Sequence, residues 1–305
     1  MKKNTARYLL LTTSLIALGA APAQAEEDSP LSLSLEVGAE YDSNITVDAT
    51  DVTSRQGDES ALFGGGISYD FAKSDSTKFK AGYTFSQSLH QDLTEFDLQI
   101  HGASLEVGAK VGDVDLGLAY RYNNISLGAE SFLEMHSINP NFSTLVGAKF
   151  LVTGGYEYLK QDFQQATLME RNAERHSGNT KVYFLLGKGR TINVGYKLSR
   201  HDTIAPELDY WGHTFDVGLK LPVNIVEDAK FRAQYRYRQK DYSNLDPDIG
   251  DKRQDKRHYI RASLEAPFYK QFTGKLEYEY TDSSSNLPSL NYDSHLVTFT
   301  IAWKL

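Results

Sequence analysis

A two-residue alternation of apolar and polar side chains runs along the chain from Leu31 onward and constrains its fold more than any other feature. Because successive side chains of a strand point to opposite faces, such segments predict strands with one apolar and one polar face. About fourteen segments of this kind follow one another, often about ten residues long, the spanning length of a tilted membrane strand. In the first, one face carries Leu31, Leu33, Leu35, Val37, Ala39 and Tyr41.

The connections between the segments alternate in length. Short turns are predicted near residues 73–77, 110–113, 147–149, 187–190, 223–228 and 269–271, and longer polar loops near 44–59, 123–131, 161–175, 201–210, 241–256 and 282–293. Segments near 95–109, 130–146 and 176–187 alternate less cleanly, and a slip at His101 and Gly102 predicts a bulge. The predicted fold class is all-β, a transmembrane antiparallel up-and-down β-barrel.

A soluble β-sandwich is the competing interpretation, because its strands also alternate. Tyrosine favours the barrel: the chain has 19 of them, and many end an apolar face at the entrance to a long loop, as a membrane-interface girdle requires. The mean hydropathy of −0.45 is compatible with a barrel, whose lumen and loops are polar. The girdle candidates are Tyr41, Tyr69, Tyr120, Tyr122, Tyr156, Tyr158, Tyr235, Tyr237, Tyr278 and Tyr280.

The first 25 residues have the three regions of a secretory signal peptide. Lys2, Lys3 and Arg7 precede an apolar stretch over residues 8–21, and Ala23-Gln24-Ala25 forms a small-residue cleavage site. The stretch is short for a membrane anchor, which is the alternative. We therefore predict a signal peptide over residues 1–25, an outer-membrane β-barrel domain over residues 26–305, and a location in the bacterial outer membrane. The net charge of −8 argues against a nucleic-acid partner.

The C-terminal run LVTFTIAWKL resembles the assembly signal of bacterial outer-membrane proteins, although it ends in Leu rather than Phe or Trp. This resemblance implies the barrel assembly machinery and outer-membrane lipids as partners. Counted back from the end, the alternate apolar residues of the signal are Leu305, Trp303, Ile301, Phe299 and Val297.

The opening LEVGAEYDSNITV, which contains Tyr41-Asp42-Ser43-Asn44, resembles the barrel domain of the surface lipoprotein assembly modifier family. The resemblance implies that the whole mature chain is a barrel and that its partner is a surface lipoprotein or a periplasmic repeat protein. Family members typically carry tetratricopeptide repeats before the barrel. Only residues 26–30 precede the first strand here, so no such repeat is expected.

The polar faces of the strands supply the candidate lumen residues. A basic arc and an acidic arc are predicted side by side on neighbouring strands. Either the charges pair across strands and fill the barrel as a polar core, or they create a field across a water-filled passage. The basic arc comprises Lys230, Arg232, Arg236, Arg238 and Arg261, and the acidic arc Glu277, Glu279, Glu36, Glu40 and Asp42, with Lys275 beside it.

No catalytic, cofactor or metal site is predicted. The eight histidines are scattered in the sequence, and His201 and Asp202 would point to opposite faces of one strand. His213, close to Asp209 and Asp216, is the residue that a hydrolase would use. Asp246, Asp248 and Asp251 invite a calcium interpretation, but basic residues follow at once and a solvated loop of mixed charge is favoured.

These features predict a channel or exporter-like barrel that passes a polar solute, an extended polypeptide or a lipoprotein across the outer membrane. Two alternatives remain at this stage. One is a structural or adhesive barrel with a plugged lumen, and the other is an embedded outer-membrane hydrolase.

Overall fold

The computed structural model describes residues 29–73 and 77–305, and in this part of the chain fourteen long strands form one closed barrel. The predicted signal peptide lies outside the described residues, as does most of the predicted turn at 73–77. The strands are β1 (Leu31–Asp42), β2 (Asp58–Lys73), β3 (Thr77–His90), β4 (Leu98–Val111), β5 (Val114–Leu127), β6 (Glu130–Val146), β7 (Phe150–Phe163), β8 (Ala173–Leu185), β9 (Thr191–Thr203), β10 (Tyr210–Pro222), β11 (Lys230–Asp246), β12 (Asp251–Tyr269), β13 (Phe272–Ser285) and β14 (Tyr292–Lys304).

Every strand pairs antiparallel with its neighbours in sequence, and β1 closes the ring against β14. The closing register runs from Ser34 opposite Lys304 to Asp42 opposite Leu296. This confirms the predicted up-and-down barrel of about fourteen strands. Short 3₁₀ helices lie in the loops at Thr94–Phe96, Ala166–Arg171, Pro206–Leu208 and Pro288–Leu290. Across residues 29–73 and 77–305, no helix has the length and apolar character needed to cross a membrane.

The apolar side chains of the strands lie on the outside of the ring. Leu35 is 60% exposed, Leu118 51% and Phe299 50%, whereas their strand neighbours of opposite parity face inward. A soluble protein buries most of its large apolar side chains, whereas this barrel exposes them on its outer surface. This distribution suits a surface in contact with lipid. The strand ends joined by the longer loops are called the loop end, and the opposite ends the turn end.

Two of the predicted long loops are mostly strand. In place of a loop at 123–131, β5 continues to Leu127 and only residues 128–129 connect it to β6. In place of a loop at 241–256, residues 247–250 connect β11 to β12. The sequence prediction was wrong here because the outward apolar residues end before the strands do. Backbone hydrogen bonds between the strands continue beyond the last outward apolar residues.

The bulge predicted at His101 and Gly102 is also absent, since β4 pairs in unbroken register with both neighbours through these residues. The alternation slips for another reason. Leu98 and Ile100 face inward and are 5% and 6% exposed. They belong to an apolar cluster inside the loop end of the barrel, so an apolar inner face replaces the apolar outer face along the same strand.

Six tyrosine–histidine pairs form a belt on the outer surface among the described residues. In each pair a tyrosine of an odd-numbered strand is hydrogen-bonded through its hydroxyl to Nδ1 of a histidine on the next strand, at 2.7–2.9 Å in five of them. The histidine always lies two residues before the residue opposite that tyrosine. The pairs are Tyr83–His101, Tyr120–His136, Tyr156–His176, Tyr196–His213, Tyr235–His258 and Tyr278–His295.

The belt marks the end of the outer apolar surface. Four residues after each belt tyrosine, the outward side chain is polar, as in Gln87, Asn124 and Lys160. The tyrosines therefore lie where a girdle at the membrane interface belongs. The description of the histidines as scattered was wrong, because equivalent positions of successive hairpins are far apart in sequence but adjacent in the ring.

Closure of the ring depends on a small residue at Gly38. A Cβ at this position would collide with the backbone carbonyl of Phe299 and lie 2.7 Å from Cγ2 of Thr300. We expect Gly38→Val to lower the free energy of unfolding by about 1–3 kcal/mol or more through overpacking. The measurement is chemical unfolding of the reconstituted barrel, with heat-modifiable electrophoretic mobility as the assay of closure. Ala39→Val, on the exposed outer face, is the matched control; equal effects of the two changes would contradict this account.

Candidate functional site

Residues 43–57, called here the mouth loop, connect β1 to β2 and fold into the loop end of the barrel. Two short strands, Thr46–Val47 and Val52–Thr53, pair within it. Its position is set by the residues that follow Tyr41. Asp42 accepts hydrogen bonds from the Asn44 amide at 3.0 Å and from the Ser294 hydroxyl at 2.5 Å, and Ser43 accepts one from the His295 amide at 2.8 Å.

Asn44 braces the mouth loop internally. Its Oδ1 accepts hydrogen bonds from the Thr53 hydroxyl at 2.6 Å and the Arg55 amide at 2.9 Å, while its Nδ2 donates to the Asp293 carbonyl at 3.0 Å. The Tyr41-Asp42-Ser43-Asn44 segment therefore turns the chain inward and attaches it to β14, the strand that closes the ring.

One side of the mouth loop is apolar and packs on the inner wall. Ile45 and Val47 are fully buried, in a cluster with residues of β4 to β7 and of the loop that precedes β4. The burial of two complete aliphatic side chains stabilises the docked loop by roughly 3–6 kcal/mol, taking about 1.5–3 kcal/mol for each. The wall residues of the cluster are Phe96, Leu98, Ile100, Ile125, Leu127, Phe132, Leu133 and Phe163.

The other side of the mouth loop carries two aspartates that meet arginines. Asp48 pairs with Arg238 of β11, Oδ2 to Nη2 2.7 Å, and with Arg257 of β12. Asp51, which has the left-handed φ of 55°, pairs with Arg253 of β12 at 3.0 Å and with Arg171 at 3.3 Å. Two carboxylates of one loop thus engage four guanidinium groups.

Further contacts hold the arginines in place. Arg253 is only 4% exposed; it also pairs with Asp255 at 2.7 Å and lies over the ring of Tyr242, 4.5 Å from its centroid. Arg257 donates a hydrogen bond to the Tyr259 hydroxyl at 3.1 Å. Hydrogen-bonded ion pairs removed from water are sensitive to geometry, so they fix the position of the loop.

The two aspartates remain ionised in this setting. Burial acts to raise the pKa of Asp48, but the charges of Arg238, Arg257 and Lys240 outweigh burial and hold the pKa well below its usual range. Burial likewise acts to raise the pKa of Asp51, and Lys240 and Arg253 together lower this pKa far below the usual range.

The predicted lumen residues lie on the inner face, and four of them pair with one another. Arg261 bonds Glu279 at 2.5 Å and approaches Glu277 at 3.7 Å, and Lys275 bonds Glu277 at 2.8 Å. Arg232 pairs with Glu265, with Lys230 nearby at 4.0 Å.

On β1, Glu40 accepts a hydrogen bond from Thr298 at 3.0 Å, and Glu36 faces the same interior. Arg236 lies over the Tyr259 ring at 5.9 Å, and Arg238 instead binds the mouth loop. The predicted basic and acidic arcs therefore meet at β12 and β13. Of the C-terminal residues, Val297 and Phe299 are exposed on the outer surface, and the indole of Trp303 donates to Gln271 at 3.0 Å.

The structure separates the residues that a hydrolase would combine. His213 belongs to the outer belt, whereas Asp216 faces inward and pairs with Lys181 at 2.8 Å. His201 faces inward and stacks on Tyr210, while Asp202 bonds Arg200.

The aspartates of the predicted calcium loop serve the turn instead. Asp246 accepts a hydrogen bond from the Asp248 amide at 2.9 Å, and Asp251 accepts one from the Lys252 amide at 2.7 Å. Within the described residues, no three His, Cys, Asp or Glu side chains form a group that could hold a metal ion.

Sequence reasoning missed Asp48, Asp51 and their partners Arg253 and Arg257. A signal for them existed. Ile45 and Val47 are apolar in a loop otherwise rich in polar residues, and inward positions of β4 and β5 turn apolar at the loop end. Together these indicate a loop that packs inside the barrel. The partners of the aspartates were not predictable, because they lie about two hundred residues away in the chain.

Asp48→Asn leaves Arg238 and Arg257 facing a neutral amide, which removes the charge that compensates two partly buried cations. Breaking such pairs costs about 3–5 kcal/mol when the partner stays buried, so we expect the mouth loop to undock more often. Arg55 is the only Lys or Arg in the loop. Trypsin cleavage after Arg55, followed by electrophoresis under denaturing conditions, should be at least tenfold faster than in the native chain. Asp113→Asn, in an exposed turn, is the control; equal cleavage rates for all three proteins would contradict the role of Asp48.

Docking of the mouth loop should tolerate mild acid. A carboxylate whose pKa is depressed when docked contributes stability that is fully present above the ordinary Asp pKa of about 3.9 and is lost as the pH falls toward the depressed value. Hydrogen exchange of the loop amides, corrected for intrinsic rates, should therefore be constant from about pH 7 to 5 and increase below about pH 4. Loss of protection already at pH 6 would show that other groups control docking.

Solved structures share the architecture. OmpT (in-vitro folded), an outer membrane protein of Vibrio cholerae, superposes with a TM-score of 0.54 at 9% identity, covering 93% of this chain and 100% of that chain. An anion-selective porin from Comamonas acidovorans gives 0.51 at 10% identity, covering 90% and 98%. At these identities the likeness shows the fold alone, which is that of bacterial outer-membrane barrels.

No curated protein matches the sequence. The family model of the surface lipoprotein assembly modifiers, in contrast, matches residues 36–304, which comprise nearly all of the barrel. The match begins within β1 and ends at the last residue of β14. The chain therefore belongs to the surface lipoprotein assembly modifier family.

Proposed function

We propose that this outer-membrane barrel is a channel whose loop end is closed by the mouth loop, and that it passes an extended polypeptide segment or a polar solute when the loop undocks. The proposal rests on the observation that the mouth loop contacts opposite walls of the barrel. Its apolar side packs on Ile125 of β5, and its Asp48 binds Arg257 of β12. These strands are seven apart in a ring of fourteen, so they lie on opposite walls.

The two attachments of the mouth loop differ in chemistry. The apolar contacts are non-directional, whereas the ion pairs depend on the geometry of four arginines. A segment with carboxylates that entered from the turn end could compete with Asp48 and Asp51 for these arginines. Such competition would couple entry of the passenger to opening of the mouth.

The interior below the mouth supports a polar passenger. Basic side chains of β11 and β12 form ion pairs with acidic side chains of β12 and β13, as in Arg232 with Glu265 and Arg261 with Glu279, and line the wall with polar groups. The family name points to surface lipoproteins, so we propose the polypeptide of a surface lipoprotein as the passenger and a separate periplasmic repeat protein as its source.

A second candidate function is a structural barrel whose mouth never opens. The complete burial of Ile45 and Val47 favours it, because an apolar plug of this kind resists undocking. The contacts of His213 favour neither candidate and offer no catalytic group for a hydrolase.

Planar-bilayer conductance of the pure protein tests the proposal. We expect rare opening steps for the native barrel and a several-fold higher open fraction for Asp48→Asn combined with Asp51→Asn, because both ion-pair anchors are weakened. Asp113→Asn is the matched control. Absence of steps from the double variant, in protein shown to be folded by heat-modifiable mobility, would overturn the channel and favour the permanent plug.

The proposed passenger is tested separately from conductance. A surface lipoprotein encoded in the same genome is co-expressed with the native barrel or with the double variant, and its exposure is measured by protease shaving of intact cells. Exposure that does not depend on the barrel would reject the lipoprotein as passenger while leaving the channel intact.

A further inference from the structure

A cavity of about 180 Å³ lies inside the loop end of the barrel, between the mouth loop and the inner wall. It is lined by two walls of different character and is partly open. One wall is apolar and consists of inward residues from β4 to β7. Its side chains are Leu98, Ile100, Ile125, Phe132, Met135 and Phe163.

The opposite wall is cationic. Arg171, Arg175, Arg238 and Lys240 all line the cavity, whereas the acidic side chains along it are Asp48 and Asp51. Both aspartates are engaged by arginines, two of which are Arg238 and Arg171. The lining therefore carries more positive than negative charge, even with each aspartate fully ionised.

Lys240 is the residue that makes this wall a candidate binding site. The side chain belongs to β11, is 8% exposed, and extends over the ring of Tyr210 with Nζ 4.9 Å from the centroid. Among the residues that the structure describes, no carboxylate lies within ion-pair distance of its ammonium group, although its charge acts on Asp48 and Asp51 from farther away. Both aspartates are already bound by arginines, so an anion in direct contact with this buried ammonium would compensate its charge better.

Two further polar atoms at the cavity lack a hydrogen-bond partner in the described part of the chain. They are Nδ1 of His201 and Nε of Arg175. His201 stacks on Tyr210, the same ring that lies beneath Lys240, and Arg175 uses its Nη2 for Glu157. Buried polar groups are normally satisfied, so unpaired atoms at one cavity indicate that a polar group of a ligand completes them.

We propose that this cavity binds the head and first part of the chain of an alkyl carboxylate, with the carboxylate at Lys240 and His201 and the alkyl chain against Ile100, Ile125 and Phe132. An apolar cavity of about 150 Å³ holds benzene, so the present volume holds roughly seven non-hydrogen atoms, enough for the carboxylate and the first part of the alkyl chain. The inference is independent of the proposed function, since it does not require the lumen to conduct.

Octanoate is the probe, because its carboxylate and first carbons would fill the cavity while its last carbons extend beyond it. Its binding to the barrel in lipid nanodiscs is measured by saturation-transfer NMR, with empty nanodiscs subtracted. A ligand of this size is expected to bind with a dissociation constant of about a millimolar or below. Octylammonium, with the same chain and the opposite charge, and acetate, with the charge but no chain, should each bind at least tenfold more weakly. Equal binding of octanoate and octylammonium would overturn the proposal.

Substitutions in the cavity test whether octanoate binds there. Lys240→Gln should weaken octanoate binding at least tenfold, and Ile100→Thr should weaken it while leaving the weak response to acetate unchanged. Lys256→Gln, on the exposed face of the neighbouring strand, is the matched control. Equal octanoate binding by Lys240→Gln and Lys256→Gln would place the ligand elsewhere. If Lys240→Gln does not fold, the comparison of the three probes on the native barrel still decides the chemistry.

Discussion

The whole structure depends on the requirement that backbone amides and carbonyls in contact with lipid find partners within the protein. In a sheet this requirement can be met only by closing the ring, because an open edge would leave a row of unsatisfied groups in hydrocarbon. The pairing of β1 with β14 meets it, and the tight approach at Gly38 shows how close the two edges come. Once the ring is closed, inside and outside follow from the parity of each residue along its strand. The lumen charges, the outer belt and the apolar cluster are consequences of that parity.

Most of the fold was predictable because parity is written directly in the sequence. The strand number, the antiparallel order and the inward charges of β11 to β13 all follow from a period of two. The mouth loop was not predictable in the same way. Parity gives the face on which a side chain lies, but it cannot distinguish a face turned to lipid from one turned to a buried loop. Leu98 and Ile100 were therefore interpreted as an irregularity of the strand, although they are regular strand residues whose apolar partners, Ile45 and Val47, come from another part of the chain.

The candidate site shows a second limit of sequence reasoning. The charges of β11 and β12 could be assigned to the interior from the sequence. Their acidic partners, however, depend on where the mouth loop docks inside the barrel. Asp48 and Asp51 engage arginines that sequence distance gave no reason to connect. Buried ion pairs of this kind contribute more to the geometry of docking than to net stability. Lys240 differs from these arginines: it acts on Asp48 and Asp51 without lying within ion-pair distance of either, and this is visible only once the position of the mouth loop is known.

The outer belt has a consequence for how a barrel of this type can change in size. Each tyrosine–histidine pair is contained within one loop-connected hairpin, so a hairpin carries its own complete portion of the belt. A whole hairpin could be duplicated or lost without orphaning a side chain, whereas gain or loss of a single strand would split a pair. Only the first hairpin departs from the rule in the described chain: Gly57 occupies the histidine position, and the Tyr41 hydroxyl would be 2.9 Å from a Cβ there. The outer belt therefore favours gain or loss of two strands at a time. The first hairpin, which carries the mouth loop, has no such pair and is not interchangeable with the others.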